Sequence, residues 1–364
     1  MRKSGYNKVS QPGEDITMKV ESIRIQNFKR FKDLEVSFKN KILDEASDRY
    51  LVLGDNGSGK TTLLQAIALP LALATGRIQS ISDFKWLGFL PGRYSQGKTT
   101  QIELEVSFEE EELATTREVA RKWYDAQPEK FRAEQDFVQP GNSYNVKVVV
   151  KGNDCQIGNN PNEQEQFKGR YYIQSLLKSN PADRSLLSEL QKLPGIFCFD
   201  EFRKISYELR TDLYNDLFTW RMEQLLAPES YGAQCSKRLE KLYQKIFPDR
   251  SFKMEKLANI DNQESDYFVV DDGDRTYDIE EMSGGEQSIF LILYEFVKEQ
   301  IYSSVVLIDE IDLNLHPPAA QFFVSQLSRI APTCQFIFTT HSESVNNVIG
   351  ESDTYRLPGG VLCL

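Results

Sequence analysis

Apolar and polar positions alternate at Ile23 and Ile25, then at Leu34, Val36 and Phe38, the period of two expected of half-buried strands. They predict two strands joined by the turn Asn27-Phe28-Lys29-Arg30-Phe31. Residues 50–53 predict a short buried strand and residues 62–74 an apolar helix, while Ile102, Leu104, Val106 and Phe108 alternate again. Residues 109–112 then open a polar helix, where negative charge suits the positive end of the helix dipole. Strands are expected at 144–150 and 196–199, and a loop at 158–162. Helical spacing links Leu209, Leu213, Leu217 and Trp220, and also Leu239, Leu242 and Ile246 before Pro248. Asp272-Gly273 between residues 267–270 and 275–279 predicts a hairpin.

The last stretch alternates type: helix 286–299, strand 305–308, helix 317–330 and strand 336–339. That order predicts an α/β protein with a largely parallel sheet flanked by helices. No sustained heptad series runs between residues 109 and 280, so a long coiled-coil arm is not expected.

Composition narrows the classes. The 364 residues carry 43 Lys plus Arg against 54 Asp plus Glu, a formal charge of −11. Nucleic-acid binding would therefore need a local basic patch or a partner. Five widely spaced cysteines without a CxxC pair suggest reduced thiols in a cytosolic protein. Residues 1–17 are polar and contain no apolar core of a secretory signal. The mainly apolar stretch at 63–74 is too short for a membrane span and is interrupted by Pro70. With only two histidines, His316 and His341, an HNH nuclease or a zinc finger is not expected.

Gly54-Asp55-Asn56-Gly57-Ser58-Gly59-Lys60-Thr61 matches GxxxxGK[ST], between a strand and a helix. Its glycines let successive backbone N–H groups turn toward phosphates, the helix N-terminus adds positive potential, Lys60 reaches the β/γ-phosphates and Thr61 ligates Mg2+. Thr62 joins the phosphate contacts. A chance Gly-rich turn would lack this flanking strand and helix. Residues 305–308 end in Asp309 and Glu310, the Walker B pattern. There Asp309 would hold Mg2+ through its water shell and Glu310 would polarise the attacking water. Such a strand end is common in itself, and its weight comes from the P-loop upstream.

Met282-Ser283-Gly284-Gly285-Glu286-Gln287 precedes a helix and resembles the signature motif of ABC-type ATPases. Ser283, the Gly284 and Gly285 amides and the helix N-terminus can form a second phosphate cradle. The same residues also read as a capping box with Ser283 at the N-cap and Glu286 as its partner, and both readings can hold together. A second cradle makes sense if it closes over ATP bound to another subunit. Asp312-Leu313-Asn314-Leu315-His316-Pro317 stands at the D-loop position. His341 ends the next strand and is read as a γ-phosphate contact rather than a structural histidine. For His316, packing and a dimer contact stay open.

Taken in order, these motifs resemble the SMC/RecF-type branch of the ABC ATPases. Residues 309–317 are more similar to the OLD-type and Septu PtuA-type ATPases of phage defence than to RecF itself. The resemblance implies an ABC-type P-loop head with a mixed sheet flanked by helices and an inserted, mainly helical lobe. The head would occupy 18–108 and 279–364, after a tail at 1–17. The lobe would occupy 109–278, with 196–203 an option for return to the core sheet. It further implies a homodimer around ATP and Mg2+, with Lys60, Thr61, Asp309, Glu310 and His341 acting in cis. Ser283, Gly284, Gly285 and Glu286 would reach across with Asp312 nearby, and Lys29 and Arg30 would lie near the base or α-phosphate. For the Q-loop, Gln96 and Gln101 are candidates, unless the strand at 196–199 feeds that site and leaves no obvious glutamine. OLD-type relatives carry a C-terminal nuclease domain. Only 23 residues follow His341, so a nuclease is expected to be a separate protein or absent, the partner being that nuclease or another effector, with DNA or RNA met through the complex and no membrane. The alternative is a stand-alone RecF-like repair ATPase; a transport-coupling subunit fits less well.

Overall fold

In this computed structural model the described residues are 18–359, excepting 96, 135, 180–182, 201–206 and 259–263. The expected tail at 1–17, the candidate Gln96 and residues 201–203 lie outside them. The first half contains β1 (Lys19–Phe28), β2 (Phe31–Ser37), β3 (Arg49–Leu53), α1 (Lys60–Ala74), β4 (Gln101–Ser107), α2 (Glu110–Asp125), α3 (Glu129–Glu134), β5 (Asn145–Lys151), β6 (Asp154–Ile157), α4 (Pro161–Glu165), α5 (Gly169–Ser179), α6 (Arg184–Leu190) and β7 (Ile196–Phe199). The second half contains α7 (Tyr207–Leu226), α8 (Tyr231–Gln244), β8 (Ser251–Ala258), β9 (Glu264–Asp271), β10 (Thr276–Tyr277), α9 (Gly284–Lys298), β11 (Val305–Ile308), α10 (Pro317–Ile330), β12 (Gln335–Thr340), α11 (Glu343–Ile349) and β13 (Thr354–Arg356).

A parallel sheet in the order β13-β3-β12-β11-β7 forms the centre. Both of its faces are buried, which is why its strands read as unbroken apolar runs. Tyr50, Val52, Val305, Leu307 and Ile337 point to one face, into a core shared with α1. Leu51, Leu53, Val306, Ile308, Phe336 and Phe338 point to the other, against α7 to α11. Truncating a ring as enclosed as Phe338 to alanine costs about 3–5 kcal/mol.

An antiparallel sheet in the order β2-β1-β4-β5-β6 covers the opposite side of α1. Helix α1 is thus held between two sheets and is buried almost all round, including Pro70. That burial accounts for its lack of a polar face. Buried Gln335 ties the two sheets together, accepting from Val20 N and donating to the Val20 and Ser47 carbonyls.

Two parts of the expected lobe belong to these sheets. Strands β5 and β6 extend the antiparallel sheet from β4. Strand β7 pairs in parallel with β11, so residues 196–199 do return to the core. Among the described residues the remaining regular elements of that span are helices, apart from β8, β9 and β10, which form a third sheet. The predicted loop at 158–162 ends early, because Asn160 caps α4 with Pro161 at its first turn.

Candidate functional site

Three strands of the parallel sheet deliver the candidate residues to one edge, since β3 runs into the P-loop, β11 into Asp309 and Glu310, and β12 into Thr340 and His341, while β7 ends at the same edge. The carboxyl edge of parallel strands is where ligands bind in α/β folds. Gly57 and Gly59 have φ of 77° and 106°, a left-handed backbone that glycine adopts without strain. At Gly59 a Cβ would also come within 2.6 Å of Arg30 Cδ and 2.7 Å of Phe31 Cζ.

Lys60 is buried within this loop. Its ammonium donates to the carbonyls of Gly54 (2.8 Å) and Asp55 (3.2 Å) and pairs with Glu310 Oε1 at 3.1 Å. Asp309 accepts from Thr61 Oγ1 and Thr339 Oγ1, both at 2.6 Å. Burial raises its carboxyl above the usual range, against the pull of those two hydroxyls. Glu310 has φ of 46°, uncommon outside glycine. Its N–H donates to Thr339 Oγ1 at 2.8 Å, which holds that conformation, and its Oε2 meets His341 Nδ1 at 3.1 Å. Thr340 Oγ1 donates to Asp312 at 2.5 Å. Thr339 and Thr340 were not among the residues singled out from sequence, yet they orient three of the acidic groups.

The residues fit Mg2+ and a phosphate chain. Thr61 and Asp309 present hydroxyl and carboxylate oxygens, the donors a hard divalent cation takes. Ser58 Oγ is buried in the loop without a hydrogen-bond partner, a polar atom that phosphate oxygens can satisfy. Asn56 and Gly57 stay exposed at the loop mouth, and Thr62 is buried just inside α1.

The signature segment lies against the D-loop. Ser283 caps α9, its Oγ accepting from Glu286 N at 3.2 Å, and Ser283 and Gly284 are exposed. A Cβ at Gly285 would stand 2.7 Å from the Asn314 carbonyl oxygen, whereas at Gly284 the nearest atom is 3.8 Å away. The reciprocal half of a capping box does not form. The Glu286 carboxylate instead accepts from the Tyr243 and Tyr277 hydroxyls, with Arg250 at 3.8 Å. Glu286 therefore anchors α9 to α8 and β10.

Lys29 is also engaged elsewhere. Its ammonium donates to Gln65 Oε1 (2.7 Å) and to the Gly88 carbonyl (2.8 Å), and burial lowers its pKa. Arg30, in contrast, is exposed beside Gly59. Gln101 donates to Glu103 on its own strand, while Asp309 N donates to Phe199 O at 2.8 Å. Strand β7 thus ends beside the Walker B strand. His316 is exposed at the start of α10, which disfavours a packing role. Among the described residues no helix is long and apolar enough to cross a membrane.

The P-loop, Walker B carboxylates, signature helix and D-loop on one parallel sheet define an ABC-like ATPase of the SMC/OLD type. The chain belongs to the AAA ATPase domain family, whose model matches residues 18–211, and is an ATP hydrolase. A second AAA domain model matches residues 176–345. Relatives include the "Retron Vc95 probable ATPase" of Vibrio cholerae serotype O1 biovar El Tor, 22% identical, with 93% of this chain and 73% of the relative covered. The "OLD nuclease" of Thermus scotoductus is 23% identical over 89% of this chain and 59% of its own length. The "Retron Ec83 probable ATPase" of Escherichia coli is 29% identical over 25% of this chain and 19% of its own length. The chain thus spans less than two thirds of the length of two of these three relatives. Among solved structures, an SMC head bound to the C-winged helix domain of ScpA superposes with TM-score 0.49 at 16% identity, with 91% of each chain covered. The SMC head domain from Thermotoga maritima gives 0.45 at 14% identity, covering 91% of this chain and 92% of that one.

Proposed function

We propose that this ATPase is a nucleotide-gated clamp: two copies close over ATP, hydrolysis opens them, and the cycle controls a separate nuclease effector in phage defence. The observation that carries the reading is the placement of exposed Ser283 and Gly284 at an α9 N-terminus packed on the D-loop. A phosphate cradle there, in addition to the P-loop, has a use when it meets ATP held by a second copy.

Within each site Lys60 exchanges its loop carbonyls and Glu310 for the β/γ-phosphates, and Ser58 turns its buried hydroxyl to them. Thr61 and Asp309 would hold Mg2+, which would supply charge neutralisation on the phosphate oxygens. Glu310, once free of Lys60, orients and deprotonates the attacking water, and His341 contacts the γ-phosphate. Asp312, held by Thr340, lies at the subunit boundary. Arg30, beside Gly59, is better placed than Lys29 for the nucleotide.

The defence part draws on the retron ATPase and OLD nuclease relatives. The acidic balance of the chain suits an effector that meets nucleic acid in its place. Cells carrying this chain with its neighbouring genes should lose protection against phage when Lys60 is replaced by alanine. Protection that survives Lys60→Ala would refute the nucleotide-gated defence role.

A further inference from the structure

At the end of α1 away from the P-loop there is a cavity of about 680 Å3. Its walls include the rings of Trp123 on α2, Phe131 on α3, and Tyr171 and Tyr172 on α5. Trp123 stands nearly perpendicular to Phe131, with centroids 5.9 Å apart, and lies 4.9 Å from Tyr172. Tyr171 adjoins Tyr172 at 5.7 Å and is 47% exposed. A cluster of rings built only to fill a core would be covered; here it borders an open space.

The charges around that space are unbalanced. Asp136 and Asp154 line it, both exposed, and neither has an ion pair among the described residues. Lys168 also lines it but is neutralised by Glu165 at 2.8 Å, and Glu165 in turn accepts from the Tyr172 hydroxyl. An anion would meet two uncompensated carboxylates, and a neutral apolar molecule would leave them without a partner. Aromatic faces carry negative potential and attract cations, most strongly when the cation is partly desolvated.

We propose that this cavity binds an organic cation, a guanidinium or alkylammonium group, between the aromatic rings and the carboxylates of Asp136 and Asp154. Two sources share that chemistry: a free polyamine and an arginine side chain of a partner protein. The site is separate from the ATP site, so its occupancy can be measured without nucleotide.

Titration calorimetry on the full chain, with spermidine in one arm and N-acetylargininamide in the other at matched ionic strength, tests the proposal. Saturable binding of either probe is expected. Preference for spermidine indicates a free polyamine, and preference for argininamide a protein side chain. Asp136→Asn/Asp154→Asn should weaken binding at least about tenfold, the factor set by losing two nearby charges at partial exposure. Tyr171→Ala, at a ring that is 47% exposed, should weaken it severalfold. Absence of binding by both probes, or unchanged affinity in both variants, overturns the proposal.

Discussion

The Nζ of Lys60 stands 3.1 Å from Oε1 of Glu310, with both side chains largely withdrawn from water. The P-loop cation and the proposed general base therefore satisfy one another's charge. In the proposed cycle phosphate would compete for Lys60 and so free Glu310 for the water.

Replacing Glu310 with glutamine removes both the base and the competitor. Turnover should fall by about 10²–10⁴-fold, the usual contribution of a positioned base. The affinity for ATP should rise, because Lys60 loses a charged partner. Single-turnover hydrolysis and equilibrium binding of a labelled nucleotide measure the two effects. Unchanged hydrolysis would remove Glu310 from the chemistry.

Thr339 bonds to both Walker B acids, donating to Asp309 at 2.6 Å and accepting from Glu310 N at 2.8 Å. Thr339→Val retains the shape and deletes both bonds. Loss of an outer hydrogen bond of this kind costs about 10–100-fold in activity. The loss should fall mainly on kcat, and Thr339→Ser should recover most of it. A Thr339→Val enzyme of normal kcat would show that the backbone alone positions Glu310.

The two signature glycines should differ. A methyl at Gly285 meets the Asn314 carbonyl at 2.7 Å, whereas one at Gly284 has its nearest neighbour at 3.8 Å. Gly285→Ala should cost about 1–3 kcal/mol of stability through overpacking, and Gly284→Ala should leave the melting temperature nearly unchanged. If Gly284 faces a partner's phosphate, Gly284→Ala will nevertheless weaken ATP-dependent association. Calorimetric melting and sedimentation separate these outcomes.

Glu112 is wholly buried on α2, one of its carboxylate oxygens has no hydrogen-bond partner, and burial pushes its pKa up to about 8. The folded state therefore binds a proton that the unfolded chain releases near pH 4.5. By linkage this contribution to stability is complete below about 4.5 and is lost as pH rises towards about 8. Glu112→Gln should thus gain stability over wild type at pH 8 relative to pH 5, by about 1 kcal/mol or more. Urea denaturation at the two pH values measures it, and a pH-independent difference would contradict the assignment.

The central sheet was legible because strands buried on both faces leave apolar runs such as Val305 to Ile308, and the ATP site was legible because its residues sit next to those runs in sequence. What escaped depends on long-range pairing. Strands β5 and β6 look like the start of an insertion until β4 is seen beside them. Tyr243 reaches Glu286 across 43 positions, and nothing in local spacing links them. Thr339 closed a predicted strand and Thr340 lay just past it, and nothing in that apolar run hinted at polar work, although hydroxyls at the carboxyl end of a parallel strand were a usable signal. The cap of α4 was visible in Asn160-Pro161 and was overlooked in a polar stretch.

In the proposed cycle two copies close over ATP, the signature of one meeting the P-loop of the other. Light scattering of Glu310→Gln with ATP and Mg2+ tests this most directly. The expected mass is twice the 41.8 kDa of the chain in ATP and that of a single chain in its absence, with the larger species lost when Ser283→Arg is added. A mass that ATP leaves unchanged, or an ATP-dependent dimer that persists with Ser283→Arg, would contradict it.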